Sequence, residues 1–388
     1  MASSSQANVE FLQDEKDTLQ FTLKNVDLSV ANGLRRTVLS NIDTLVFKGF
    51  PYEENHIRIT KNTTKFNNEY LKQRLSCIPI HESDRKIFQT MKSTYKAVIN
   101  KENDTLEKMY ITTKDIEIVN KANGEKLASS KRDMLFPADE ITNDHILICV
   151  LYPNMNSKNE ENEKLELEAD FDIHSAKENS CWNIVHNVAY EFMRNHEEIE
   201  KQAQQIEDEM EREDFRILNG QRIYFKNEYL MTVQSLGIYT NHEIMNHACD
   251  YIIGKLGLIQ QYFTSTAYSP ILTSDEIVAN ETNGTLSKEQ IEEMHNQYCK
   301  LYKKENMFVF ELSDDDYTIG KMVEKYFYLM FEKELKFVGF KKVHPTKKEA
   351  YIFIQYHNNK AEKSINNQLL QTINHIDQII RTIQKYFN

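Results

Sequence analysis

Apolar residues recur along this chain with two periods, and the period assigns the elements. Leu19, Phe21 and Leu23 alternate with polar residues, which predicts a strand over Thr18 to Leu23. Asn25 to Asp27 makes a turn, and Asp27 or Ser29 supplies a helix cap. The helix that follows runs to about Ile42, with Val30, Leu34, Val38 and Ile42 as its buried stripe. Asn32, Arg35 and Arg36 lie off that stripe. Thr44 to Phe50 and His56 to Thr60 read as strands, Asn68 to Leu75 as a helix, and Ile146 to Tyr152 as a buried strand. Met155 to Glu163 is a polar loop. Leu165 to Ile173 alternates, with Leu165, Leu167, Ala169, Phe171 and Ile173 on one face. Asn195 to Asp214 is crowded with acids and reads as a solvated helix inserted between strands.

The second half repeats this grammar. Tyr229 to Leu236 is a strand. Asn241 to Phe263 is an amphipathic helix with Ile244, Ala248, Ile252, Leu256, Ile259 and Phe263 on one side. Ser265 to Gly284 is loop-like, and Ser287 to Lys304 reads as a charged helix serving as a linker. Met307 to Leu312, Phe337 to Lys342 and Ala350 to Tyr356 are strands, and Thr318 to Phe331 is a helix. The last helix, Lys363 to Phe387, is about 35 Å long at 1.5 Å per residue. Its stripe is Ile365, Leu369, Ile373, Ile376, Ile380, Ile383 and Phe387. One domain seldom buries such a stripe unaided, so a partner helix is expected. The order strand, capped helix, strand, later strand and long amphipathic helix occurs twice, which suggests an internal pseudo-dimer with a large insertion in its first copy.

Composition narrows the function classes. The 388 residues imply two or three domains. With 47 basic and 59 acidic residues the net charge is −12, which argues against a protein whose main task is neutralising phosphates. Twenty Tyr and 20 Phe are enough to fill real cores. The longest apolar run, Ile146 to Tyr152, is far short of the roughly 20 residues that span a bilayer. Residues 1 to 8 lack the charged-then-apolar pattern of a signal peptide. The five cysteines are odd in number and dispersed, which fits a reducing, intracellular compartment and gives neither a disulfide framework nor a C-x-x-C zinc site. On that reading the sequons at Asn62, Asn280 and Asn283 are chance matches.

No constellation marks an active site. Asp170 and Asp172 could hold a divalent metal for nucleotidyl transfer. They lie off the apolar face of an amphipathic strand with no third acid at suitable spacing, so two solvent-side acids is the ordinary reading. There is no G-x-G-x-x-G and no G-x-x-x-x-G-K-[ST]. His242 and His247 share a helix without zinc-helix spacing, and Cys181 near His186 has nothing to mark it as a nucleophile. Arg35-Arg36 stands out as a guanidinium pair on the polar face of a short helix, a residue type favoured at protein interfaces.

Asn25-Val26-Asp27-Leu28-Ser29-Val30-Ala31-Asn32-Gly33-Leu34-Arg35-Arg36 resembles the alpha motif of RNA polymerase assembly subunits. That family includes the bacterial alpha subunit, its archaeal D-like counterpart and the third subunit of eukaryotic RNA polymerase II. Asn62-Thr63-Thr64 and Glu69 to Ile80 resemble its next conserved segments. Ala176-Lys177-Glu178 with Trp182 resembles A-K-E-H-A-K-W-S-P, and Tyr229 to Leu256 its returning strand and dimerisation helix. Asp315-Asp316-Tyr317-Thr318-Ile319-Gly320-Lys321 and Val338 to Pro345 resemble motifs of the small partner, which is the eleventh subunit or its archaeal L-like counterpart. Departures are Cys181 and Ile184 for the family's Lys and Pro, and Tyr317 and Lys321 for its His and Asn. The cysteine cluster that binds zinc or an iron–sulfur centre in some relatives is missing after Ile80, and the acidic 195–214 stretch has no family counterpart.

The resemblance implies an α+β fold of two related strand–helix dimerisation units forming an internal pseudo-heterodimer, the first interrupted by a β-rich insert domain. The implied division is 1–51 with 187–275, then the insert 52–186, a helical linker 276–305 and a small-partner-like unit 306–388. The implied function is a non-catalytic assembly platform of a DNA-directed RNA polymerase, fused as in large cytoplasmic DNA viruses and acting in the host cytoplasm and virion. Its partners would be the two large catalytic subunits, the second-largest through Asn32, Arg35 and Arg36, and a tenth-subunit-like or archaeal N-like subunit. Ile252, Leu256, Ile259, Leu369, Ile373, Ile376, Ile380 and Ile383 would form the internal dimerisation seam. Neither zinc nor an iron–sulfur cluster is expected, catalytic magnesium would belong to the large subunits, and no direct contact with nucleic acid or membrane is expected. The rivals are a homodimeric scaffold unrelated to transcription and a metal-dependent nucleotidyl-transfer enzyme using Asp170 and Asp172.

Overall fold

The computed structural model describes residues 6–153, 162–265, 298–357 and 364–388. The chain opens with β1 (Asn8–Asp14), β2 (Thr18–Lys24) and α1 (Leu28–Ser40). There follow β3 (Asp43–Phe47), β4 (Ile57–Asn62), α2 (Asn68–Ser76), α3 (Arg85–Thr94), β5 (Tyr95–Glu102), β6 (Met109–Thr112) and β7 (Glu117–Asn120). Next come α4 (Ser129–Leu135), β8 (Leu147–Leu151), β9 (Lys164–Ser175), β10 (Val185–Arg194), α5 (His196–Ala203), α6 (Glu209–Ile217), β11 (Tyr224–Ser235) and α7 (Asn241–Ser265). The last stretch holds β12 (Cys299–Lys304), β13 (Met307–Leu312), α8 (Ile319–Phe331), β14 (Leu335–Lys341), β15 (Ala350–Tyr356) and α9 (Ile365–Gln384). The fold is α+β. The chain divides into two compact units, one of Met1–Val38, Asn187–Val233 and Asn241–Asn388, the other of Leu39–His186 and Gln234–Thr240.

The first unit holds two four-stranded sheets, ordered β1-β2-β11-β10 and β12-β13-β15-β14. In both, the last strand of the set in sequence lies between the second and the third, and a helix follows the second and the fourth strands. α1 begins where the Asp27 carboxylate accepts the Ser29 N–H at 2.9 Å, satisfying one of the free donors at a helix start. Val30, Leu34 and Val38 are buried as the stripe requires, while Ile42 is buried beyond the end of the helix.

The stripe on α9 is covered. Ile365, Leu369, Ile373, Ile376, Ile380 and Ile383 have no exposed surface, and neither do Ile252, Leu256 and Ile259 on α7. α7 and α9 pack against each other, and α8 packs on α9. The partner helix that the stripe demanded is supplied by the same chain. Burying each of these side chains is worth roughly 1.5–3 kcal/mol. Polar residues close the seam: the Gln384 Nε2 donates to Asn246 Oδ1 and to Asp250 Oδ1, each at 2.6 Å. Phe387 lies just past the helix and meets Phe21 edge-on at 5.2 Å.

Two expectations need correction here. The helix expected over Ser287 to Lys304 is overturned at its end, because Cys299 to Lys304 is the strand β12, paired antiparallel with β13 from Cys299↔Leu312 to Lys304↔Met307. Cys299 is buried and Leu301 nearly so, a period of two that the flanking charges hid. The rest of that helix and the loop expected to Gly284 lie mostly outside the described residues, as does most of the polar loop from Met155. The single acidic helix expected over Asn195 to Asp214 is two helices, α5 and α6, capped by the side chains of Asn195 and Asp208.

The second unit is built on a five-stranded sheet ordered β3-β9-β5-β7, with β4 also paired to β9, and a two-stranded sheet of β6 and β8. Leu165, Leu167, Ala169 and Phe171 of β9 are buried as the alternation predicts. Ile173 is only half-buried, and its neighbour Asp172 is buried instead.

Candidate protein-docking surface

The polar face of α1 carries the three residues singled out in the sequence. Arg35 folds back on its own helix, donating from Nε and Nη2 to Asn32 Oδ1 at 3.1 and 3.0 Å. Arg36 turns the other way. Its Nη2 pairs with the Asp316 carboxylate and its Nε donates to Thr318 Oγ1 at 3.3 Å. Sequence reasoning found both arginines but missed this partner, because Asp316 is remote in the chain. Asn32 and Arg35 remain half-exposed and engage each other. Burial alone would raise the Asp316 pKa. The nearby Arg36 charge and the Thr318 hydrogen bonds outweigh it and hold the carboxyl below its ordinary value.

Asp315, next to it, has a different environment. It is buried and accepts the Gly320 N–H at 2.8 Å at the start of α8. Burial, helped by the Asp316 charge and opposed by backbone hydrogen bonds, pushes its pKa up to about 6. α1 and α8 also touch at Gly33, where an added Cβ would lie 3.1 Å from Met322 Cε. The alpha-like motif and the Asp315 to Lys321 motif therefore meet across one helix crossing. Beside it lies a cavity of about 620 Å³ lined from α1, β10, β11 and α8.

In the second unit the motif residues hold an ionic network. Asp172 pairs with Lys92, with His56 Nδ1 at 3.0 Å and with His174 Nε2 at 3.1 Å. Burial works to raise its pKa, but hydrogen bonds from Lys92, the Ile173 amide and His174 bring it down to about 2. His174 Nδ1 meets Glu178 at 2.7 Å, and the buried Lys48 ammonium pairs with Glu178 and Glu54. Trp182 stacks on His174 at 5.2 Å and donates from Nε1 to Ser76 O at 3.2 Å. Asp170 pairs with Lys121 at 2.9 Å. The reading of Asp172 as a solvent-side acid is therefore corrected: it is buried, and Lys92 and two imidazoles already occupy its oxygens. Asn62 makes a local turn, accepting the Thr64 N–H at 3.0 Å and donating to Phe66 O at 2.8 Å.

Three thiols lie in environments that oppose ionisation. Burial raises Cys149 and Cys299 each to about 12, and Cys181 to about 11. Among the described residues no three His, Cys, Asp or Glu side chains converge as a metal ligand set. No described helix is long and apolar enough to cross a membrane.

The family model for the RNA polymerase Rpb3/Rpb11 dimerisation domain matches residues 20–256, more than half of the chain. The chain belongs to this family. The match begins in β2, passes through the whole second unit and ends within α7. Three curated proteins illustrate the likeness. DNA-directed RNA polymerase II subunit RPB3 of Schizosaccharomyces pombe is 32% identical over 80 residues, 21% of this chain and 25% of that protein. DNA-directed RNA polymerases IV and V subunit 3B of Arabidopsis thaliana is 32% identical over 72 residues, 19% of this chain and 20% of that protein. A conjugation stage-specific protein of Tetrahymena thermophila is 33% identical over 69 residues, 18% of this chain and 20% of that protein. The chain thus matches a fifth to a quarter of the length of these relatives. Residues 20–256 thus form a dimerisation domain of the Rpb3/Rpb11 type, and the β12–α9 segment lies beyond the matched residues.

Proposed function

We propose that this chain is the non-catalytic assembly platform of a multisubunit DNA-directed RNA polymerase, carrying a third-subunit-like and an eleventh-subunit-like half in one polypeptide. One observation carries the reading: the two four-stranded sheets have the same strand order, and α7, which closes the first set, packs on α9, which closes the second. Two chains of a heterodimer would present this arrangement as separate molecules. Joining them raises the effective concentration of the halves to about millimolar or above. On this reading the expected division into 1–51 with 187–275, the insert 52–186, the connection 276–305 and the smaller domain 306–388 shifts at two edges: β3 (Asp43–Phe47) joins the insert's sheet and β12 (Cys299–Lys304) the smaller domain's.

The partners proposed are the two large catalytic subunits and a small tenth-subunit-like or archaeal N-like subunit. Asn32 and Arg35 would face the second-largest subunit, with Arg36 beside them but committed to Asp316. A viral origin, with action in the host cytoplasm and virion, follows the fused organisation and belongs to the same proposal. So does folding without zinc or an iron–sulfur cluster. The test is purification through a tag on this chain in its natural setting, followed by a mass measurement of the intact complex. One copy of this chain with both large subunits and no separate small dimerisation partner is the expected result. A homodimer lacking polymerase subunits would return it to a scaffold unrelated to transcription.

A further inference from the structure

The cavity beside α1 is floored by rings. Tyr190, Phe192, Tyr224 and Tyr229 form one cluster on neighbouring strands β10 and β11, with Phe192 4.6 Å from Tyr224 and 5.5 Å from Tyr229. Tyr317 closes the cavity from the turn before α8. Tyr229 is 2% exposed, but Phe192, Tyr224 and Tyr317 are 39, 50 and 47% exposed. A concave patch of uncovered aromatics at about 620 Å³ is the size and chemistry of a recognition pocket.

Its charges are uneven. Four cations, Arg36, Lys226, Lys321 and Lys325, stand against two carboxylates, Asp27 and Glu324. Both acids are committed: Asp27 caps α1, and Glu324 pairs with Lys321 at 2.6 Å and accepts the Phe340 N–H at 3.2 Å. Arg36 is taken by Asp316. Lys226 and Lys325 are left without an acidic partner among the described residues, on the rim of an aromatic floor, in a chain of net charge −12.

Resting on the platform reading, we propose that this groove seats an acidic segment of a partner polymerase subunit, which inserts an aromatic or large aliphatic side chain between the rings while its carboxylates meet Lys226 and Lys325. Complementary charge fixes register and aromatic floors anchor the apolar side chain. A nucleic acid strand could also stack on these rings. It is disfavoured because the chain is acidic, with a net charge of −12, and β10 leads into the 195–214 stretch, which carries nine acids. The groove takes walls from both halves of the chain, so its occupant would bind only where the two have docked.

The experiment replaces Tyr224 with the photo-cross-linking residue p-benzoyl-phenylalanine in the full chain and irradiates the complex purified through it. Mass spectrometry should find residue 224 joined to a segment of a co-purifying subunit in which carboxylates flank an aromatic or large aliphatic residue. Cross-links to nucleic acid, to a second copy of this chain or to a neutral or basic segment would overturn the inference. If the large subunits co-purify and residue 224 joins nothing, this inference alone fails. If no polymerase subunit co-purifies, the platform reading falls and this inference with it. As a second measure, Lys226→Glu with Lys325→Glu should weaken capture of the partner about tenfold or more, with the melting temperature unchanged. Undiminished capture would overturn the assignment of the carboxylates.

Discussion

Arg36 and Asp316, 280 positions apart, form an ion pair that joins α1 to the turn before α8. Both side chains are partly exposed, at 30 and 39%, so solvent screens the pair and its worth is modest. Arg36→Ala and Asp316→Ala should each lower stability by about 1 kcal/mol, with a coupling of about 0.5 kcal/mol in a double-mutant cycle. Arg35→Ala, which loses only a bond within its own helix, should cost less than about 0.5 kcal/mol. It should nevertheless weaken capture of the large subunits. Additive melting shifts for Arg36 and Asp316 would mean that the pair does not couple the helices, and wild-type capture by Arg35→Ala would return that residue to ordinary surface charge.

The α7–α9 seam gives the largest expected effect. Ile373→Asp with Ile380→Asp places two charges where no surface is exposed. The β12–α9 segment should lose its cooperative melting and its helical circular dichroism. Ile373→Ala alone should cost about 2–5 kcal/mol. A double variant that melts as wild type would show that these faces are not packed.

Two helix glycines, Gly33 and Gly320, should respond differently to a methyl group. At Gly33 the nearest atoms belong to the flexible end of Met322, which can move, and alanine also favours the helix by about 1 kcal/mol. Gly33→Ala should therefore be near neutral in thermal melts. At Gly320 an added Cβ would lie 2.2 Å from Cε2 of the Phe340 ring. Gly320→Ala should cost about 1–3 kcal/mol, and Phe340→Leu should relieve part of it. Equal melting temperatures for the two alanine variants would contradict this packing.

Asp172 should make the second unit sensitive to acid. Its folded pKa of about 2 is below the ordinary carboxylate value of 3.8. The unfolded chain therefore binds the proton first as pH falls, so the stabilisation is full above about pH 4 and is lost as pH drops toward 2. The groups facing it are Lys92, His56 and His174, with Glu178 behind His174. The depression is worth about 2 kcal/mol by linkage. Asp172→Asn should be less stable at neutral pH and should show a shallower loss between pH 4 and 2 in denaturant titrations. An unchanged slope would remove Asp172 from the acid response.

Elemental analysis tests the metal expectation. Protein purified without chelators should carry no stoichiometric zinc, since a closed site needs about four nitrogen or sulfur ligands at suitable spacing. A zinc content of one per chain would overturn it.

The sequence by itself determined local faces. Alternation placed β2 and β9, and the recurrence of isoleucines at three- and four-residue spacing placed α9 and its buried side, because burial on one face leaves a periodic trace in the chain. It also suggested a repeated element order, but with Thr44 to Phe50 as the third strand of the first copy; β3 pairs with β9 in the second unit instead, and β10 stands in that place. What covers each face was decided only in three dimensions. Nothing local to Ile373 names α7 as its cover, and nothing local to Arg36 names Asp316. β1 escaped notice because Phe11 and Leu12 are both exposed on an outer strand, and β12 because its charged residues masked a two-residue period. Asp172 looked solvated because polarity in a strand predicts an outward side chain; the Lys92 ammonium from α3 and the imidazoles of His56, just before β4, and His174, in β9, make its burial tolerable. The aromatic groove is a tertiary product as well: its rings come from positions 190 to 229 and 317, and only the docking of the two halves makes them one surface.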